Sequence, residues 1–415
     1  MTNNSLTTNC CICGGGPAGI MLGFLLARAG IEVVVLEKHA DFFRDFRGDT
    51  IHPSTIQLMH ELNLLDAFLQ VPHQEVDQLN GQFNGVDVQI ADFTHLKVAK
   101  PILALMPQWD FLNFISRQAS KYPGFTLLTE AVVYELIKDG QRTTGIKANT
   151  PNGPIEIHAN LIVGADGRSS DVRRLAGLNV INTGAPIDVL WFRLSKNSAT
   201  DPKQTLGRFE GNRMMVLLNR GDYWQCAYVI MKGELETIKS KGIEGFHDDV
   251  IAICPFFRDR VNELNDWNDI KLLNVVIDHL EKWYAEGVVC IGDASHAMSP
   301  VGGVGINLAI QDAVAAANIL YPSLLRKESI PITVLKKIQQ RREFPARVIQ
   351  RMQVIMQNGI VRRKNTPGEK QTLPFFLKMF KRFPFLTRIP AKIIGMGIRP
   401  EHIKTPDVGK VEIQK

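Results

Sequence analysis

The first forty residues constrain the fold more than any other stretch. Asn9-Cys10-Cys11-Ile12-Cys13 is a short run of small and apolar residues that ends in Gly14-Gly15-Gly16-Pro17-Ala18-Gly19. Met21, Leu22, Leu25 and Leu26 follow at helical spacing, Gly30 stops that helix, and Val33-Val34-Val35-Leu36 reads as a buried strand. Gly14, Gly16 and Gly19 stand in G-x-G-x-x-G order between strand and helix. The first glycine permits the tight turn, the second lets backbone approach a pyrophosphate, and the third lets the helix pack closely on the strand. Pro17 and Ala18 lead into the helix, whose free N–H groups and positive dipole end suit an anion. Glu37, followed by Lys38, ends the second strand about 20 residues on, where an acid accepts hydrogen bonds from a ribose. The stretch predicts a dinucleotide-binding βαβ unit. Which dinucleotide, and what chemistry, it leaves open.

The chain is 415 residues long and 45% hydrophobic, enough for a large core split over more than one domain. A net charge of +6 is mildly basic, and no DNA- or RNA-reading motif accompanies it, so no nucleic-acid partner is expected. Three of the six cysteines crowd the first strand as small buried hydrophobes. Cys11-x-Cys13 has no second ligand pair at zinc-like spacing, so no metal site is expected, and a reducing, cytoplasmic compartment fits the cysteine usage. Met1 to Thr8 has neither the basic nor the apolar region of a secretory signal.

Further along, Arg44 to Ser54 is a charged loop, and Ser54 is expected to cap a helix over Thr55–Leu69. Gln108–Ser120 reads as a helix, and Asn152-Gly153 as a hairpin turn. The alternation from Pro186 to Met231 predicts an antiparallel sheet, with Trp191, Arg193, Met215, Trp224 and Tyr228 as candidate lining residues. Helix is expected over Glu236–Ile253 and from Leu308 to Leu320, and a strand over Val275–His279.

Two further glycine motifs follow buried strands. Leu161-Ile162-Val163 runs into Gly164-Ala165-Asp166-Gly167 with Ser170 and Arg173, and Val288 to Ile291 runs into Gly292-Asp293-Ala294-Ser295-His296 with Pro300, Gly303, Gly305 and Asn307. Asp166 has a second reading as the cap of the helix that follows, and His296 a second reading as a structural histidine. The three motifs, in this order and spacing from about Cys10 to Leu320, resemble the class A flavin monooxygenases, the para-hydroxybenzoate hydroxylase-like family. The resemblance implies an α/β fold: a discontinuous Rossmann-like FAD-binding domain from 1–75, 100–182 and 275–325, an inserted antiparallel-sheet substrate domain from 76–99 and 183–274, and a helical, basic C-terminal segment, 326–415. It implies FAD as cofactor and NADPH or NADH as a transient co-substrate. It also implies O2 adding to reduced flavin as a C4a-hydroperoxide that hydroxylates an aromatic or related small molecule.

By the same resemblance, Glu37 holds the adenosine ribose, Arg47 reaches the phosphates or ribityl chain, and Gln108 is a flavin-side polar residue. Asp166 touches FAD and the passing nicotinamide. Asp293 binds the ribityl chain, and Gly305, Ile306 and Asn307 meet the pyrimidine end of the ring, which gains negative charge on reduction. Pro300 matches a proline whose carbonyl lies over the flavin, and His52, in the loop after Arg47, is a candidate to touch substrate. No further catalytic residue is expected, because the flavin carries the hard chemistry. The alternatives are an FAD-dependent reductase of isoprenoid type and, in another class, a non-enzymatic prenyl-binding protein on the same fold. The Asp293–Asn307 loop argues against the latter. Finally, Leu373–Ile398 interleaves phenylalanines with lysines and arginines, a pattern that suits packing on the body, a lid, or peripheral contact with an anionic membrane. Its charges rule out a span.

Overall fold

The structure is a computed structural model that describes residues 4–43, 50–202, 205–364 and 373–411. Five parallel strands lie in the spatial order Val288–Cys290, Gly153–Gly164, Asn4–Cys13, Val33–Leu36 and Phe125–Leu128. The register sets Cys13 against both Leu36 and Gly164, and Gly164 against Cys290. All three glycine motifs therefore leave adjacent strands at the same carboxyl edge, the edge outside which open α/β sheets take ligands. An antiparallel hairpin turning at Gly153 (φ +103°) joins Arg142–Thr150 to this sheet, and Val132–Asp139 extends it.

Helix Pro17–Arg28 is buried at nearly every position, because it lies between the sheet and a second apolar helix, Gly305–Leu325. The latter is long and apolar enough to cross a membrane, but 72% of its most apolar window is buried inside the protein, as in a core helix. A second, seven-stranded sheet runs Lys271–Leu273, Ile187–Ser195, Tyr223–Met231, Arg213–Asn219, Leu206–Glu210, Gln78–Phe83 and Val86–Asp92. Two stretches distant in sequence thus share one sheet. Helix Gly242–Ile253 covers one of its faces with Phe246, Val250 and Ile253.

Several boundaries differ from the sequence expectations. The Thr55–Leu69 helix is two, Pro53–Glu61 and Leu65–Leu69, separated by Asn63 at φ +58°. Ser54 is inside the first turn rather than at its cap. His52 takes the cap position, and Pro53, whose ring presets a helical φ, starts the helix. Gly242 (φ +76°) splits Glu236–Ile253 into Leu235–Lys239 and Gly242–Ile253. The strand expected over Val275–His279 is Asp278–Leu280, and the Leu308–Leu320 helix extends over Gly305–Leu325.

The C-terminal segment packs along the body of the protein. Helix Ile332–Lys364 runs along the Gly305–Leu325 helix, and the chain beyond Arg399 docks by Arg341–Glu401 (2.6 Å), His402–Glu61 (2.6 Å) and Arg28–Asp407 (3.4 Å).

Candidate active site

Local geometry at the first motif follows from its glycines. Gly14 has φ +112°, and a Cβ there would fall inside the van der Waals surface of the Ala165 carbonyl in the second motif. A Cβ on Gly19 would collide with the Gly14 carbonyl, so this glycine is what lets helix meet strand so closely. Gly16 is different: a Cβ there has no neighbour nearer than 4.0 Å, so it opens onto space. Gly16 is also the N-cap of helix Pro17–Arg28, which has no side-chain cap and no acid in its first turn. An open cradle at an uncapped helix start is a fit for a pyrophosphate. Glu37 is buried, and its carboxylate accepts from the amides of Gly15 (3.1 Å) and His39 (3.0 Å), which fixes the acid at the mouth of the turn. Lys38 is exposed beside it.

The third motif closes on the first. Gly292 (φ +60°) is wedged between Ala18 and Ala309, and its amide donates to Asp312 Oδ2 at 3.1 Å. Asp293 is exposed on the turn Gly292–Ala294, next to the start of helix Pro17–Arg28. Gly305 is the first residue of helix Gly305–Leu325, with Ile306 and Asn307 in its first turn and no side-chain cap. Asn307 is a buried knot. Its Oδ1 accepts from the His52 amide and the Thr55 hydroxyl (both 2.8 Å), and its Nδ2 donates to the Thr50 carbonyl (2.9 Å). Its side chain is thus spent on holding residues 50–55 against the loop, while its helix supplies the uncapped N-terminus.

Three further candidates have protein partners of their own. His52 is fully buried, its Nδ1 bonded to the Ile394 carbonyl at 2.7 Å, and burial drives its pKa down to about 4. It is a structural link to the C-terminal segment and presents no surface to a substrate. The Pro300 carbonyl accepts from the Gly303 amide at 3.0 Å, closing the loop on itself. Asp166 accepts from the Ser170 hydroxyl and the Val172 amide (3.1 Å), supporting the N-cap Ser170, whose own oxygen accepts from the Arg173 amide (3.0 Å). Burial raises its carboxyl, and those hydrogen bonds pull it back. Gln108 opens helix Gln108–Ala119, half-buried, and Arg47 lies outside the described residues.

His296 is buried too, with Nε2 2.5 Å from Asp312 Oδ2, and Arg342 Nε reaches Asp312 Oδ1 at 2.8 Å. Burial alone would push the Asp312 carboxyl up, but its contacts with His296 and the Arg342 guanidinium outweigh it and hold it below the usual range. The structural reading of His296 is the one its contacts support.

Among the sheet candidates, Met215, Trp224 and Tyr228 point into the core under helix Gly242–Ile253. Trp191 is on the opposite face with Val189, Val216 and Leu218. The two-residue period of a strand separates them, and the sequence does not state which parity the helix covers.

The residues missed by sequence reasoning are glutamines on helix Ile332–Lys364. Gln350 Nε2 donates to the Asp278 and Ala297 carbonyls (both 2.8 Å). Gln353 accepts from the Ser299 amide (3.2 Å) and donates to the Ser299 and Val301 carbonyls (both 2.8 Å). They grip the loop between Asp293 and Gly305. Both are buried, which the sequence does not state: the helix carries other glutamines, and nothing local marks these two.

The comparisons agree with this geometry. A family described as FAD binding domain matches residues 7–351. The chain is 30% identical to 6-methylpretetramide 4-monooxygenase of Streptomyces rimosus over 323 residues, 77% of each protein. It is 26% identical to a longer rifampicin monooxygenase of Rhodococcus hoagii, of which it spans 61%. Among solved structures, PqsL of Pseudomonas aeruginosa, a probable FAD-dependent monooxygenase, superposes with a TM-score of 0.72 at 20% identity, over 86% of this chain and 98% of that one. The p-nitrophenol 4-monooxygenase PnpA of Pseudomonas putida gives 0.73 at 18%, over 94% and 95%. With the cradle at Gly16, the acid at Glu37 and the Gly292–Asn307 loop meeting at one sheet edge, the chain belongs to the FAD-binding class A flavin monooxygenases.

Proposed function

We propose that this FAD-dependent monooxygenase hydroxylates an aromatic small molecule, with NADH or NADPH as transient reductant and O2 as the oxygen source. The observation that carries the reading is the convergence of the three motifs at the carboxyl edge of one parallel sheet. The names of relatives such as 6-methylpretetramide 4-monooxygenase and 12-dehydrotetracycline 5-monooxygenase/anhydrotetracycline 6-monooxygenase favour a fused-ring aromatic acceptor.

Bound FAD supplies the redox and oxygen chemistry. The residues divide the rest of the work. Gly14, Gly16 and Gly19, with Pro17 and Ala18, receive the pyrophosphate on the helix N-terminus, and Glu37 takes the adenosine ribose. Asp293 holds the ribityl chain. The uncapped amides at Gly305, Ile306 and Asn307 would hold the pyrimidine end, where a helix dipole would favour the negative charge that accompanies reduction. Gln350 and Gln353 hold that loop in place. The face of the second sheet with Trp191, Val216 and Leu218 forms the apolar wall against which substrate lies. Cytoplasmic residence goes with this reading, since all six cysteines are free and buried.

The test is to purify the protein, add FAD, and screen fused-ring phenols for stimulated NAD(P)H oxidation with mass analysis of products. A product heavier by one oxygen supports the proposal. Protein that takes up no FAD, or oxidation that yields only hydrogen peroxide with every aromatic compound tried, overturns it.

A further inference from the structure

The helices Phe375–Arg382 and Arg388–Met396 leave a face uncovered whose composition is unusual for a water-facing surface. Each buries one side on the edge of the seven-stranded sheet. Leu377 packs with Phe83 and Val88 while Phe380 leans on the same cluster, and Ala391 packs with Ala91, Phe93 and Leu103, joined by Ile394. The other side should then be polar. Instead Phe375, Phe376, Phe383, Phe385 and Ile389 stand out with 80%, 55%, 45%, 60% and 59% of their surface exposed. Phe376 packs edge-on against Phe380, and Phe383 against Phe385, so the rings stand in two pairs.

Between these rings stand Lys378, Lys381, Arg382, Arg388 and Lys392, all exposed. No acid occurs from Lys370 to Pro400, and none of these five cations has an ion-pair partner among the described residues. Arg382 instead lies over the Phe383 ring at 5.5 Å. Five large apolar side chains exposed together on two adjacent helices mark an interaction site. The unpaired cations select its occupant. A second copy of the chain in a two-fold contact would set cation against cation. An anionic bilayer accepts rings at the acyl boundary and cations among the headgroups at once.

We infer that the outer face of Phe375–Met396 is a monotopic docking surface for anionic membranes, holding the sheet edge Val86–Asp92 against the bilayer. This goes beyond the proposed oxygenation and does not depend on it.

The test uses the full-length protein and sedimentation with phosphatidylcholine vesicles, with and without phosphatidylserine, at low and high salt. Co-sedimentation that needs phosphatidylserine and weakens with salt is expected. Lys378→Glu together with Lys392→Glu should lower the partition coefficient by at least roughly 30-fold, and Phe375→Ser with Phe385→Ser should lower it at least about tenfold. All four side chains are exposed, so circular dichroism and FAD uptake should not change. Vesicle binding is read without turnover, so failure of the hydroxylation proposal leaves this result interpretable. No sedimentation at low salt, equal binding by wild type and variants, or a dimer in solution that the same substitutions dissociate, overturns the inference.

Discussion

Lowering the pH should destabilise this protein through His52 in a way that one substitution removes. His52 is wholly buried, and its Nδ1 faces the Ile394 carbonyl, so Nδ1 carries the proton and Nε2 is the basic nitrogen. Nε2 has no hydrogen-bond partner within normal geometry and lies near Gly303. Protonation there places a charge out of reach of water, and this burial outweighs the pull of the Ile394 and Gly303 backbone, which is why the folded pKa is about 4 against 6.5 for a free histidine. The sign follows from the direction. Above the unfolded value both states are neutral and nothing is lost. As pH falls from 6.5 towards about 4 the unfolded chain takes up the proton and the fold does not, so stability drops. The full loss is about 3 kcal/mol, with about 2 kcal/mol already gone near pH 5. Urea unfolding followed across this range measures it. His52→Asn keeps an N–H for the Ile394 carbonyl but does not titrate, so its stability should fall by about 2 kcal/mol less than wild type between about pH 7 and pH 5. Parallel curves for the two proteins would refute the assignment of a neutral, buried imidazole.

Gly14→Ala should fail to fold, because its Cβ meets the Ala165 carbonyl at a backbone φ of +112°, whereas Gly16→Ala should fold with normal stability and lose roughly tenfold or more in FAD affinity by filling the cradle. Thermal melts and flavin titration separate the two. Asp293→Ala should raise the FAD dissociation constant about 2- to 13-fold, the worth of one ribityl hydrogen bond, read by flavin titration. Gln353→Leu strands the Ser299 and Val301 backbone groups and should cost about 2–3 kcal/mol in urea unfolding, with weaker flavin retention as the loop loosens.

The sequence by itself determined the strand-turn-helix units and the chemistry they serve. G-x-G-x-x-G before an apolar helix, and two more glycine turns after buried strands, are local patterns in which the backbone alone dictates what fits. That is why Gly14, Gly16, Gly19 and Glu37 stand in the structure as a cradle and an acid at one sheet edge. Only the tertiary structure decided what depends on a neighbour distant in the chain. Whether Met215 or Trp191 faces the site turns on which side helix Gly242–Ile253 covers. Whether His52 is a reactive group or a buried link turns on Ile394, more than 340 residues away in sequence. Gln350 and Gln353 carry no motif, and acquire a role only because helix Ile332–Lys364 passes behind the Asp293–Gly305 loop. Backbone conformation is encoded locally by residue type, while burial and partnership are properties of the packed whole.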